Sequence, residues 1–252
     1  MGPMVGRRHA IRVLCAGLLA FVGSSCGQTG GRLQPVLEAF KQQSTAEQYK
    51  QVSDAIAASP ALARELGAAA DAGRLKGIRV ADEEHPPEGP FLATIVDGWI
   101  VFTPGFLWRI ERKPPEFTAH PDDIVPDNLV FVLGAFAFYL TNPAGPRPAT
   151  KEAFMQAAVE RDARAFLNGW NDVVDWATRG NRNKPLSIEQ TSLMMDNLRY
   201  KHVFSNYTGV FKKLDWSPGG RLEPNDRNVA AVAEGLHKMV LLDFGVPPLS
   251  PP

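Results

Sequence analysis

The stretch Leu129-Val-Phe-Val-Leu-Gly-Ala-Phe-Ala-Phe-Tyr-Leu140 decides the fold of this chain. It holds no charged residue, and its 12 residues are too many for a typical strand and too few to cross a bilayer. A helix that is apolar on every side belongs inside a protein core. The sequence therefore predicts a central helix that is buried on all sides.

Helical patterns lie on both sides of this run, and a short β-rich segment precedes it. Thr45-Ala-Glu-Gln48 forms a capping box that opens a helix, and Thr150 and Asn225 are placed to cap later helices. Between residues 78 and 102 the pattern changes to short strands, with Asp97-Gly98 as a strong hairpin signal. The expected fold class is α+β, mostly helical, with a small central β-hairpin or sheet and a buried central helix.

Composition excludes several classes of protein. The chain has 252 residues, of which 44% are hydrophobic, and its 27 basic residues balance 27 acidic ones. These proportions are those of a globular protein, which excludes a largely disordered chain. Because nucleic-acid-binding proteins concentrate positive charge, the neutral balance predicts that no nucleic acid is a partner.

The N-terminal residues have the pattern of an export signal. Arg7, Arg8 and Arg12 form a basic region, residues 13–22 are apolar, and small residues follow at 23–25. The apolar run is about half the length of a membrane-spanning helix. We therefore predict that residues 1–25 are a signal peptide.

Cys26 comes directly after these small residues and resembles the acylated cysteine in the lipobox of bacterial lipoproteins. The resemblance implies a lipidated tether over residues 26–32 and a periplasmic location, with Gly27 favouring the outer membrane of a Gram-negative cell. Gly23 departs from the lipobox, which usually has Leu there. The alternative is cleavage near Ser25, which leaves a free thiol. Residues 33–252 are expected to form a single globular domain.

Three further segments resemble M48-type zinc metallopeptidases, which belong to the zincins. In that family an apolar strand and turn precede a helix with the zinc ligands, and a later helix supplies a third ligand. The segments are Asp97-Gly-Trp-Ile-Val-Phe-Thr-Pro-Gly-Phe-Leu107, Asp127-Asn-Leu-Val-Phe-Val-Leu-Gly134 and Glu160-Arg-Asp-Ala163. Their order and spacing match the family.

The chain departs from the family at the metal site. Where the family has His-Glu-x-x-His, this sequence has Ala135, Phe136, Ala137, Phe138 and Tyr139, followed later by Glu160. A methyl group cannot bind zinc, and a phenyl ring cannot accept a proton from water. The resemblance implies a degenerate peptidase scaffold without the catalytic residues, and no metal or cofactor is expected. If the chain is not related to this family, residues 129–140 are simply the central core helix.

Other candidate chemistry is weak. His85 and His120 lie in acidic loop clusters typical of a solvated surface, and Asp172 and Asp175 have the pattern of an amphipathic helix end. Glu160 is either an acid that faces the core or an exposed partner of Arg164 four residues later. The alternative of a glycan-cleaving pair of carboxylates stays open, since the sequence does not show which carboxylates face each other.

These observations predict a non-catalytic, periplasm-facing lipoprotein that binds another protein. One concrete form is an immunity or inhibitor protein that neutralises an antibacterial effector. The alternative is a cell-envelope hydrolase, either an enzyme that cleaves peptidoglycan or a relative of the metallopeptidases that cleaves protein. Metal content and activity on peptidoglycan distinguish these two alternatives from the binding protein.

Replacing the predicted lipidation site tests the anchor. If Cys26 carries the lipid, Cys26→Ala should move the chain from the membrane fraction to a soluble or unprocessed form, because acyl chains supply the membrane affinity. Cell fractionation and intact mass measure this. Unchanged fractionation, or a mature chain with an unmodified N-terminus elsewhere, would contradict the prediction.

Overall fold

The computed structural model describes residues 31–82, 93–103, 128–181, 213–217 and 219–243, without the side chains of residues 128, 179–181 and 237–243. Six helices and three strands lie in these residues, which confirms the mostly helical α+β class. In chain order the elements are α1 (Leu33–Gln43), α2 (Ala46–Ala58), α3 (Pro60–Asp71), β1 (Gly77–Val80), β2 (Ala93–Val96), β3 (Trp99–Phe102), α4 (Asn128–Thr141), α5 (Lys151–Asn181) and α6 (Asp226–Asp243).

Several sequence predictions fall outside the described residues. They are the signal peptide at 1–25, Cys26, the loop histidines His85 and His120, and the start of the second resembling segment at Asp127. Among the helices in the described ranges, none combines the length and hydropathy that a bilayer span requires.

The helix starts follow the local signals of the sequence. The Thr45 side chain accepts a hydrogen bond from the Gln48 amide at 3.2 Å, and the Gln48 side chain accepts one from the Thr45 amide at 3.0 Å. Thr150 Oγ1 accepts from the Ala153 amide at 3.2 Å. Asn225 Oδ1 accepts from the Asn228 amide at 2.8 Å. All three predicted caps are confirmed, because each satisfies amides that the first helical turn leaves unpaired.

The sheet has the strand order β1-β3-β2, with β1 parallel to β3 and β2 antiparallel to it. Asp97 and Gly98 have φ angles of 50° and 85°, so both adopt the left-handed conformation that a two-residue hairpin turn requires. The predicted hairpin is therefore confirmed. Its second strand lies in the middle of the sheet, and β2 lies at an edge.

Helix α4 is central, as expected, but it is not buried on all sides. Leu129, Val130, Leu133 and Ala137 are buried in the core. Phe136 and Phe138, in contrast, are half-buried, as are Val132, Ala135 and Tyr139. The expectation of an all-round buried helix is wrong here, because α3 and α5 cover two sides of α4 and the side with Phe136 lies along a groove.

Two glycines set the distance between α4 and α5. A methyl group built on Gly169 would lie 2.4 Å from the carbonyl oxygen of Phe131, and one on Gly134 would lie 2.3 Å from Asp172 Oδ2. Real Cβ atoms essentially never lie within 3.0 Å of such a neighbour. The two helix backbones therefore touch at this crossing, which only glycine permits.

Adding one methyl group at the crossing should destabilise the domain. Gly169→Ala forces α4 away from α5, and overpacking of this kind costs roughly 1–3 kcal/mol of the free energy of unfolding. Gly145→Ala is the matched control, because nothing lies within 4 Å of a methyl group there. Urea denaturation of the two purified variants measures the difference, and equal midpoints would contradict the close crossing.

Candidate functional site

A groove of about 540 Å³ runs between β2, α4 and α5. Helix α4 contributes three residues spaced as neighbours on one helix face, and α5 contributes one arginine. The lining residues are Ala93, Thr94, Ile95, Phe136, Tyr139, Leu140 and Arg161. The groove is thus mainly apolar, with one charged side chain among the residues that line it.

The backbone of β2 faces this groove along its outer edge. The Ala81 amide donates to the Phe102 carbonyl at 2.7 Å, so the backbone groups of Phe102 point towards β1. Ala93 stands opposite Phe102, and its own N–H and C=O therefore point away from β3. Alternation along the strand gives Ile95 the same direction. In the described ranges no strand pairs with this edge.

Tyr139 and Arg161 form one end of the groove. The Tyr139 hydroxyl donates to Asp162 Oδ1 at 2.5 Å, and the Arg161 guanidinium stacks 4.8 Å from the centre of the Tyr139 ring. Arg161 also donates to the carbonyls of Tyr139 and Asn142, at 3.3 and 3.0 Å. Burial, followed by the charge of Asp162, raises the pKa of Tyr139, so its hydroxyl stays protonated.

Glu160 lies apart from the other three positions of the degenerate metal site. Phe136 and Tyr139 line the groove, and Ala135 is half-buried beside them. Glu160 lies in a second groove, between α5 and α6, where it accepts a hydrogen bond from Gln156 at 2.7 Å. No group of three or more potential metal-binding side chains occurs among residues whose positions are described.

Glu160 is therefore not a core-facing acid. It is half-buried, and its partner four residues away is Gln156, on the preceding turn, and not Arg164. Arg164 instead donates to the Pro224 carbonyl at 3.2 Å. Neither interpretation of Glu160 holds in full, because the side chain lines a groove and its hydrogen-bond partner is Gln156.

Asp172 and Asp175 are the functional candidates that the sequence pattern did not reveal. They are 1% and 8% exposed, so the prediction of an amphipathic helix end is wrong. Asp175 Oδ2 accepts from the Ala61 amide at 3.0 Å and from Ser59 Oγ at 3.3 Å. It thereby stabilises the N-terminus of α3, where a negative charge is favoured. This long-range contact has no local signal in the sequence.

Asp172 lies deeper, at the crossing of α4 and α5. Its Oδ2 is buried and has no hydrogen-bond partner among the residues that the structure describes. Burial, with Glu65 and Asp175 nearby, raises the pKa of Asp172 to about 8. Asp172 is therefore a neutral acid near pH 7. Burial also raises the pKa of Glu65, which accepts a hydrogen bond from Asn168 at 2.6 Å.

No protein-family model, curated protein or solved structure matches this chain. Neither the metallopeptidase nor the lipoprotein resemblance gains or loses support from these comparisons. The function is therefore inferred from the groove, the buried acids and the sequence patterns.

The buried acid makes stability depend on pH. Asp172 ionises near pH 3.8 when unfolded and near pH 8 when folded. Its stabilising contribution is therefore complete below about pH 4 and falls by up to about 1.4 kcal/mol per pH unit as the pH rises towards 8. Relative to Asp172→Asn, the wild-type free energy of unfolding should decline over this range.

Urea denaturation at a series of pH values measures this decline. Glu152→Gln, which removes an exposed carboxyl group at the start of α5, is the control and should follow the wild-type curve. Parallel curves for wild type and Asp172→Asn would show that Asp172 is not held neutral.

Proposed function

We propose that this chain is a non-catalytic lipoprotein of the bacterial envelope that binds another protein, and that the groove holds an extended segment of that partner. The predicted export signal and the resemblance of Cys26 to a lipobox cysteine support the location. The position of the β2 edge along the groove supports the mode of binding.

The edge of β2 is the observation that carries the proposal. Three consecutive strand residues, Ala93–Ile95, line the groove. Successive side chains of a strand point to opposite faces, so consecutive residues line one groove only along the strand edge. The outward N–H and C=O groups of Ala93 and Ile95 are a template on which an added strand can form hydrogen bonds.

The side chains define the chemistry of the partner segment. Phe136, Leu140 and Ile95 offer apolar surface beside the strand edge, which suits alternate apolar side chains of an added strand. Arg161 supplies the positive charge, and guanidinium groups pair favourably with carboxylates. We therefore expect an extended segment with an apolar residue and an acidic residue. In the immunity or inhibitor form, that segment belongs to the effector.

Binding without catalysis fits the side chains at the groove. Ala135 and Phe136 offer neither a metal ligand nor a base, and the Tyr139 hydroxyl is hydrogen-bonded to Asp162. Glu160 faces a different groove. These positions favour the binding protein over the alternative of a cell-envelope hydrolase.

Photo-crosslinking in living cells identifies the partner. A photoreactive amino acid at Thr94, inside the groove, should capture it, whereas the same group at Ala57, which is exposed on α2, should not. Mass spectrometry then identifies the captured protein and the crosslinked segment. Capture of a second copy of this chain, or equal capture at both positions, would contradict the proposal.

Proline at the strand edge tests the mode of binding. Ala93→Pro removes the outward N–H without touching a hydrogen bond to β3, so affinity for the identified partner should fall about tenfold. Ala93→Ser keeps the N–H and should bind like wild type. Calorimetry with the purified partner measures both, and equal affinities would exclude strand addition.

Metal content separates the proposal from a metallopeptidase. Because positions 135, 136 and 139 lack the usual ligands and base, the purified chain should contain no stoichiometric zinc. Elemental analysis measures this. About one zinc per chain would contradict the non-catalytic proposal and favour the hydrolase.

A further inference from the structure

Asp172 lies behind the groove, at the contact between the two helices that form it. Its Oδ2 is in contact with Gly134, the residue just before Ala135 and Phe136. Helix α4 contributes Phe136 and Tyr139 to the groove, and α5 contributes Arg161. The distance between α4 and α5 therefore determines the shape of the groove.

We propose that Asp172 is a proton-controlled switch on this groove: the neutral acid permits the close α4–α5 crossing, and its ionisation forces the helices apart and reshapes the groove. The inference concerns regulation of the site in the proposed function, and its biological meaning rests on that function.

The surroundings of Asp172 do not accommodate a carboxylate at the close crossing. From α3, Glu65 adds negative charge and Arg64 positive charge, and from α5 itself Asp175 adds negative charge. Arg221, in the segment that precedes α6, is the second positive group. Both arginines are exposed, so water screens their charges. The buried Oδ2 would thus carry charge with two acids near it and no hydrogen bond from the described part of the chain.

Helix α4 supplies neither a positively charged side chain nor a hydrogen bond to Asp172 Oδ2. Its one titratable side chain, Tyr139, donates to Asp162, and Gly134 presents only backbone to the acid. The carbonyl of Gly134 already accepts a hydrogen bond from Asn168 at 3.0 Å. A buried charge without a partner is strongly unfavourable, so ionisation requires water to enter. Because Oδ2 lies against Gly134, movement of α4 away from α5 gives water access to it.

The movement would be transmitted to the groove. The Tyr139–Asp162 hydrogen bond and the Arg161–Tyr139 stacking both join α4 to α5. Separation of the helices changes the position of Phe136 relative to Arg161, and hence the surface that a bound segment would contact.

Fluorine NMR of the full chain, with fluorophenylalanine at position 136, tests the switch without any partner. The Phe136 signal should shift between about pH 6 and about pH 10 with a single midpoint, because Asp172 titrates in this range. The midpoint should lie near pH 8. In Asp172→Asn the shift should be lost. Fluorophenylalanine at Phe154, near the distant start of α5, is the control reporter and should not follow this titration.

Carbon NMR of the Asp172 carboxyl group in the wild-type chain gives a second measurement that does not depend on the variant. The titration midpoint of this carboxyl group should coincide with that of the Phe136 signal. The switch would be overturned by a Phe136 signal that does not change with pH or that still shifts in Asp172→Asn. A midpoint for the Phe136 signal that differs from that of the carboxyl group would also overturn it. Because no partner is used, these outcomes are independent of the crosslinking result.

Discussion

The direct contact between the backbones of α4 and α5 is the constraint on which the rest of the structure depends. Gly134 and Gly169 leave no room for a side chain between the helices. This approach brings the Phe131 ring against Phe166, with ring centres 5.2 Å apart in an edge-to-face arrangement. It also places Asp172 at the crossing and leaves the side of α4 with Phe136 and Tyr139 free to form the groove with β2.

The same packing explains why two acids on one helix differ. Asp175 is buried against the start of α3, where an amide and a hydroxyl donate to it. Asp172, three residues earlier, meets a glycine that has no side chain to offer. Asp175 Oδ2 therefore has two hydrogen-bond donors, whereas Asp172 Oδ2 has none among the described residues. The environment of each buried carboxyl group thus depends on the hydrogen-bond donors that the neighbouring helix supplies.

The sequence predicted the parts of the fold that depend on neighbouring residues. The caps at Thr45, Thr150 and Asn225 and the hairpin at Asp97-Gly98 are local, because each satisfies hydrogen bonds within a few residues. The fold class followed from the same patterns and the apolar run.

The candidate site was less predictable, because its residues meet across long sequence separations. Composition identified the apolar run of α4, but not which side of it the neighbouring helices leave uncovered, so Phe136 was expected inside the core. The contact of Asp175 with Ser59 and Ala61 spans more than 100 residues, and the contact of Asp172 with Gly134 depends on the helix crossing. No local pattern contains this information.

The strand order β1-β3-β2 has a consequence for the sequence of events during folding. Among the described strands, β3 alone pairs with both others, and it joins β2 through a two-residue turn. A local hairpin of this kind forms within about 1–10 μs, whereas pairing of β1 with β3 must first close the intervening chain. We therefore expect β1 to dock onto a completed hairpin. Strand β2, which belongs to the hairpin that forms first, would then keep its outer edge unpaired after β1 has docked onto β3.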